Sequence, residues 1–445
     1  LKILEVLRDN CRTRRKVLVF DEDYEADTEM QNLLRNFGLT EVAFKLLKKL
    51  SLSLEEDVAM SPSHDITVRI MRSCNDLLCC YATNNAFNQE DLYEEFDIFQ
   101  NSLDFKINSH KVIAAIFTDN EKLMRKVPSH YILECAESII STGRFSQYLA
   151  LLTAITAVGE KNILENQYEI VKQLSSPVRL KKVMCFFSPV DSTEYARKVK
   201  LMQPYLKTKD VDADGLAAEL CYHLELLRVL SGCTVGFYNI TTIETKVQAM
   251  FFYEDIIDAI LDPASVLLVK IRTGLFFFNG YLEVEMLLPG LTFSPKMWTL
   301  LQHCSDVLAA AKDELRHVER NGWEASTSSR QKIEYIVCCS MMVFGFFKLY
   351  YDARSFTREH AATYGTNSNP LHLKQKEIDA LIHRLFEVML GLYQQDTPLL
   401  SVRHKQYVYD GLESLAKAKG VMLSDFCAAF DGDDLSVIEK SMVRE

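Results

Sequence analysis

Apolar residues recur at intervals of three and four along most of this chain, the spacing that gathers them on one face of an α-helix. In "VPSHYILECAESIISTG" (127–143), Ile132, Cys135, Ala136, Ile139 and Ile140 share a stripe, Pro128 and Ser129 mark the entry, and Gly143 is placed to end the helix in a left-handed conformation. The following run, "RFSQYLALLTAITAVG", keeps Tyr148, Leu151, Leu152, Ile155 and Val158 at helical spacing up to Gly159, after which Leu164, Tyr168 and Val171 open a third helix. "EMQNLLRNFGLTEVAFKLLKKL" (29–50) repeats the scheme. Met30, Leu33, Leu34 and Phe37 form a stripe, Gly38 terminates it, Thr40 is the N-cap, and Val42, Leu46 and Leu50 continue. No exact period survives, but this density of helices is that of an armadillo or HEAT array. The expected fold is all-α, an armadillo/HEAT-like α-solenoid of stacked amphipathic helices.

Strand signals are nearly absent; "CTVGFYNITTIE" (233–244) is the best candidate, and it suits a loop almost as well. The most apolar window, "YIVCCSMMVFGFF" (335–347), has 13 residues between Glu334 and Lys348, too few for a membrane helix, and is expected to be a central helix buried on all sides. "VLLVKIRTGLFFF" is interrupted by Lys270 and Arg272. Connectors are expected at 21–29, 51–64, 188–200, 321–331 and 363–370.

Composition agrees with this picture. Gly (16) and Pro (10) in 445 residues are about half of average usage, which favours long helices over turn-rich sheets. A net charge of −11 argues against general affinity for nucleic acid or anionic membrane. The basic runs "RTRRK" (12–16) and "RLKK" (179–182) are short and read as solvated turns. Twelve cysteines are scattered without a C-x-x-C pair, two doublets (Cys79-Cys80, Cys338-Cys339) lying in apolar stretches, so reduced and mostly buried thiols are expected. The sequon at Asn239 matters only in a secretory lumen. A first residue of Leu1, with no signal peptide, suggests a piece of a longer chain.

Candidate chemistry is sparse. Asp210, Asp212, Asp214 and Gly215 fall on calcium-loop positions one, three, five and six, but position twelve is Cys221, and Glu219 comes two residues too early for the bidentate carboxylate. A helix start fits better, with Asp214 as N-cap and Leu216, Leu220, Leu224 and Leu227 on one face. No P-loop, G-x-G-x-x-G, G-x-S-x-G or H-E-x-x-H is found. His223 lacks the cysteines of a zinc deaminase and reads as a helix-face residue. Glu283 and Glu285 are expected to be a surface pair, and "LFFFNGY" (275–281) to pack helices together. The best enzymatic alternative is Cys135 with His130, which would need a cleft and an orienting carboxylate. No catalytic, cofactor or metal residue is assigned.

Six runs, "NLLRNFGLTEVAFKLLKKL" (32–50), "GRFSQYLALLTAITAVGEKNILENQYEIV" (143–171), "LLRVLSGCTVGFYNI" (226–240), "YEDIIDAI" (253–260), "VKIRTGLFFFNGYLEVEM" (269–286) and "KMWTLL" (296–301), are together similar to the cytosolic RIH-homology region of inositol trisphosphate and ryanodine receptors. A fainter echo covers 397–423. The resemblance implies an RIH-homology domain over 1–187, a continuing solenoid over 188–320 and a C-terminal helical segment over 321–445. It further implies a non-enzymatic regulatory scaffold on the cytosolic face of an endoplasmic-reticulum calcium-release channel. The implied partners are other domains and subunits of that homotetrameric channel and regulatory proteins, without nucleic acid, cofactor or membrane insertion by this segment. The alternative is a free-standing helical-repeat adaptor.

Overall fold

A computed structural model describes residues 1–14, 24–56, 62–105, 107–159, 161–185, 192–206, 216–236, 240–288, 290–321, 327–351, 375–395, 397 and 399–428. The chain divides into two compact units, one of Leu1–Val17, Asp21–Phe186 and Leu216–Val247, the other of Leu18–Phe20, Phe187–Gly215 and Gln248–Glu445. Among the described residues both are built almost wholly from helices, an all-α solenoid of stacked amphipathic elements as the spacing predicts.

In the first unit run α1 (Lys2–Asn10), α2 (Thr28–Asn36), α3 (Leu39–Glu56), α4 (Pro62–Ala82), α5 (Ala86–Tyr93), α6 (Phe96–Asn101), α7 (Ser109–Phe117), α8 (Glu121–Met124), α9 (Ser129–Ser141), α10 (Ala150–Ala154), α11 (Leu164–Leu174) and α12 (Leu180–Val183). After α13 (Thr193–Met202), which belongs to the second unit, α14 (Ala218–Cys233) returns to the first. α4 packs against α7, α9 against α11, and α14 against α10 and α11. The α9 stripe is as expected: Ile132, Cys135, Ala136 and Ile139 are buried, and Gly143 follows with φ +128°.

Two local expectations are corrected, and the segment left open between strand and loop is decided where it is described. The run 144–159 is not one helix. It gives a 3-10 turn (Ser146–Tyr148), the five-residue α10, and a hairpin of β3 (Ala157–Val158) with β4 (Lys161–Asn162), paired Ala157↔Asn162 and Val158↔Lys161. The helix ends where Ile155 O accepts from Asn166 Nδ2 at 3.1 Å, so its carbonyl is satisfied from α11 and Gly159, at φ +58°, turns the chain back. Thr40 is not an N-cap: Gly38 (φ +72°) leads straight into α3 at Leu39, and the one-residue advance buries Ala43 and Leu47 while Val42 stays 65% exposed. The segment 233–244 is no strand where it is described, since Cys233 closes α14 and Thr241 opens α15 (Thr241–Met250); residues 237–239, including Asn239, lie outside the described residues. A second small antiparallel pair joins β1 (Arg12–Arg14) and β2 (Tyr24–Ala26), in register Arg12↔Ala26.

The second unit continues with α16 (Tyr253–Leu261), α17 (Leu267–Phe277), α18 (Pro295–Asn321), α19 (Thr327–Leu349), α20 (Gln375–Tyr393), α21 (Val402–Ala418) and α22 (Leu423–Ala428). α19 is the central helix expected of the apolar window. From Tyr335 to Phe347 every residue is buried, among α17, α18 and α21. Close approach is permitted by two glycines. A Cβ on Gly274 would stand 2.5 Å from Cys338 Sγ, and one on Gly345 would stand 2.9 Å from Leu282 Cβ and 3.1 Å from Phe278 Cε2. α17 runs into a π-turn (Phe278–Leu282) whose Phe278 and Tyr281, with Phe276 and Phe277, are fully buried, so the aromatic run does pack helices.

Candidate functional site

The most specific polar architecture is a joint used repeatedly in the first unit. The buried Gln31 of α2 donates Nε2 to Cys80 O (2.7 Å) and Thr83 O (2.9 Å), at the C-terminal end of α4. Gln89 of α5 donates in the same way to Ala115 O and Thr118 O, both 2.9 Å, at the end of α7. Gln167 of α11 donates to Gly232 O (3.0 Å) and Val235 O (2.9 Å), at the end of α14. Each amide thus brackets carbonyls three residues apart, groups that a helix end leaves without partners.

The first two joints are completed by the turn that follows. Asn84 (φ +55°) and Asp119 (φ +56°) take the left-handed conformation that Asn and Asp tolerate. The next residue, Asn85 or Asn120, is the N-cap of α5 or α8 and returns its Nδ2 to the glutamine Oε1, at 3.1 Å for Gln31 and 2.9 Å for Gln89. One side chain therefore links the end of one helix, the start of the next and a third helix beside them. Such fully connected buried amides fix register as well as adding stability. Apolar spacing misses them, because the side chains are polar at core positions. The signal that does reveal them is Thr-Asn-Asn at 83–85 and Thr-Asp-Asn at 118–120, each closing a helix.

In the second unit, polar groups collect between α17, α18 and α19. His303 Nε2 and Tyr335 Oη are 2.8 Å apart. Burial, and then the Lys270 charge, hold the His303 pKa below its usual value; burial likewise depresses Lys270 and raises Glu334, against the opposing pull of Arg272 and Arg330. Burial, and then the neighbouring Cys304, push the Cys339 thiol well up, and burial does the same for Cys338. These are neutral thiols in an apolar setting, the opposite of an activated nucleophile. None of the twelve cysteines forms a disulfide, and ten are buried.

Among the described residues, Cys135 and His130 do not come together. Cys135 is fully buried, its pKa pushed up to about 12 by desolvation, with Gln100 Nε2 at 3.7 Å, whereas His130 is exposed with its ring tilted against Tyr131, centroids 4.2 Å apart. Glu283 pairs with Lys348 at 3.3 Å while Glu285 lies exposed beyond the buried Val284. His223 is buried on α14. Asp210, Asp212, Asp214 and Gly215 lie outside the described residues; α14 starts at Ala218 with Ala217, not Asp214, as its N-cap, and buries Leu220, Leu224 and Leu227. Among the described residues no group of three His, Cys, Asp or Glu side chains could hold a metal ion, and no helix is long and apolar enough to cross a membrane.

Residues 3–181 match the RIH domain family, a stretch that runs from α1 to the first half of α12 and includes the first two joints in full. This part of the chain is an RIH region of the inositol trisphosphate and ryanodine receptor family, a channel-associated domain family. The chain is also similar to the inositol 1,4,5-trisphosphate receptor itr-1 of Caenorhabditis elegans, with 26% identity over 219 residues. That stretch is 48% of this chain and 7% of the relative, so the chain spans only a small part of the curated relative's length.

Proposed function

We propose that this chain is a non-enzymatic regulatory scaffold of an intracellular calcium-release channel. It lies on the cytosolic face of the endoplasmic reticulum, carries neither ligand site nor pore, and passes a ligand-induced rearrangement from one end of the cytosolic assembly toward the pore. Its partners are the other domains and subunits of a homotetramer. The observation that carries this reading is the RIH match over residues 3–181. Two structural features support it: helices tied end to end by buried amides move as bodies rather than bend, and stacked helices pivot at their seams at low cost.

The test is to read the transcript that encodes this chain and express its product in cells lacking endogenous receptors. Six apolar spans with a filter loop downstream, and calcium release evoked by inositol trisphosphate, are expected. A product without such spans and without evoked release overturns the channel reading and leaves a helical adaptor.

A further inference from the structure

Five Ser-Pro or Thr-Pro dipeptides occur in the sequence, beginning at Ser61, Ser176, Ser188, Ser294 and Thr397, and only after Ser176 is the third residue on an arginine or lysine, Arg179. Of the others, Ser294 and Thr397 are each only 4% exposed. Ser176 sits in the turn between α11 and α12. Pro177 is exposed and Val178 is 84% exposed, so the tip of the turn stands clear of the core. Little backbone bonding holds it: Ser176 O accepts from Arg179 N (2.9 Å) and Leu180 N (2.8 Å), and Pro177 has no N–H to satisfy.

A kinase cleft takes its substrate as an extended strand, and a cleft that offers no acceptor beside the residue after the hydroxyl selects proline there, because any other residue would bury an unpaired N–H. A cation two residues further on then meets acidic or phosphorylated groups of the kinase. Ser176-Pro177-Val178-Arg179 supplies both features on an exposed turn. We infer that Ser176 is a phosphorylation site for a proline-directed serine/threonine kinase, and that Arg179 holds the phosphoryl group. In the transfer, Ser176 Oγ bonds to the γ-phosphorus of magnesium ATP, the bond from that phosphorus to the β–γ bridging oxygen breaks, the hydroxyl proton passes to the kinase's carboxylate base, and ADP leaves.

The surroundings are arranged to receive the product. Arg179 Nη1 lies 3.4 Å from Ser176 Oγ and 2.7 Å from Gln173 Oε1, while Arg179 Nε and Nη2 donate to Glu137 Oε1 of α9 at 3.0 and 2.5 Å. Lys181 and Lys182 follow on α12, exposed. A phosphoryl group adds a charge of about −1.5 to −2 within reach of that guanidinium. It meets the guanidinium through Nη1, the edge that already faces Ser176, while Nε and Nη2 face Glu137. This inference stands independently of the channel reading.

The test treats the 445-residue chain with magnesium ATP and a cyclin-dependent proline-directed kinase, and maps phosphate by mass spectrometry. Phosphate is expected on Ser176, and absent from that position in Ser176→Ala and Pro177→Ala, both checked by circular dichroism for native helicity. An unmodified chain, or phosphate confined to Ser61 or Ser188, overturns the site. Phosphorus NMR titration of the product tests the role of Arg179. The second phosphate pKa is expected below its ordinary value of about 6 in the folded chain and back near it in urea; equal values in both states overturn capture by Arg179.

Discussion

Gln89→Leu is the sharpest probe of the joints. The replacement keeps the side-chain volume and leaves no cavity, so what it removes is hydrogen bonding. Gln89 is 2% exposed and makes three bonds, to Ala115 O, to Thr118 O and from Asn120 Nδ2, each at 2.9 Å. All three partners are left without their acceptor or donor. At the low end of the range for an orphaned group, because the two carbonyls are only partly buried, each costs about 1 kcal/mol, giving about 3 kcal/mol. The added apolar burial of leucine offsets about 1 kcal/mol, for a net loss of about 2 kcal/mol. Urea unfolding followed by far-ultraviolet circular dichroism reads this directly. Trp298, 3% exposed and donating Nε1 to Thr292 O at 2.8 Å, gives a fluorescence signal from the other unit in the same titration. A control, Lys122→Ala, breaks an exposed ion pair with Glu90 and is expected to cost less than about 1 kcal/mol. If Gln89→Leu costs less than about 0.5 kcal/mol, the joint is not a stabilising element and the reasoning fails.

Other outcomes follow from the same geometry. Gly345→Ala should destabilise the second unit by about 2 kcal/mol in thermal melts, because its new methyl meets Leu282 Cβ and the Phe278 ring; Gly411→Ala, which meets chiefly the mobile end of Met389 at 2.3 Å from Cε, should cost less. His303 has a folded pKa below its unfolded value, so its contribution is complete above the unfolded value of about 6.5 and is lost as pH falls toward the folded one; melts between pH 7 and 5.5 should show this decline, and His303→Gln should flatten it. Under native conditions a thiol reagent at pH 8 should label at most Cys79 and Cys221, the two cysteines that are not buried, and the remaining ten only on unfolding. Calorimetric titration with calcium should give no stoichiometric heat of micromolar affinity attributable to Asp210–Asp214, because the loop lacks its twelfth-position carboxylate.

Much of the fold was legible in apolar spacing, and the departures have physical causes. The stripe on α9 and the burial of the 335–347 window follow directly from periodicity and length. α3 is displaced by one residue because Gly38, once left-handed, hands the chain to the next helix with no linker, so a pattern counted from Thr40 selects the wrong face. α10 stops at five residues because Asn166 captures a carbonyl that a longer helix would have used. The joints escaped a search for oily stripes because Gln31, Gln89 and Gln167 are polar residues at core positions, recognisable only with the Thr-Asx-Asn turns that complete two of them. Reactive candidates drawn from sequence proximity fared as neighbours on a helix usually do: Cys135 points inward and His130 outward.

The proposed function is that this array transmits movement toward a pore, and the most direct measurement places Gln31→Leu with Gln89→Leu in the full-length product expressed in receptor-deficient cells. Inositol trisphosphate affinity and evoked calcium release are measured on the same membranes, with protein level held equal. Loosened joints are predicted to leave affinity unchanged and to cut release several-fold. Unaltered release, or affinity and release falling together, would contradict the account.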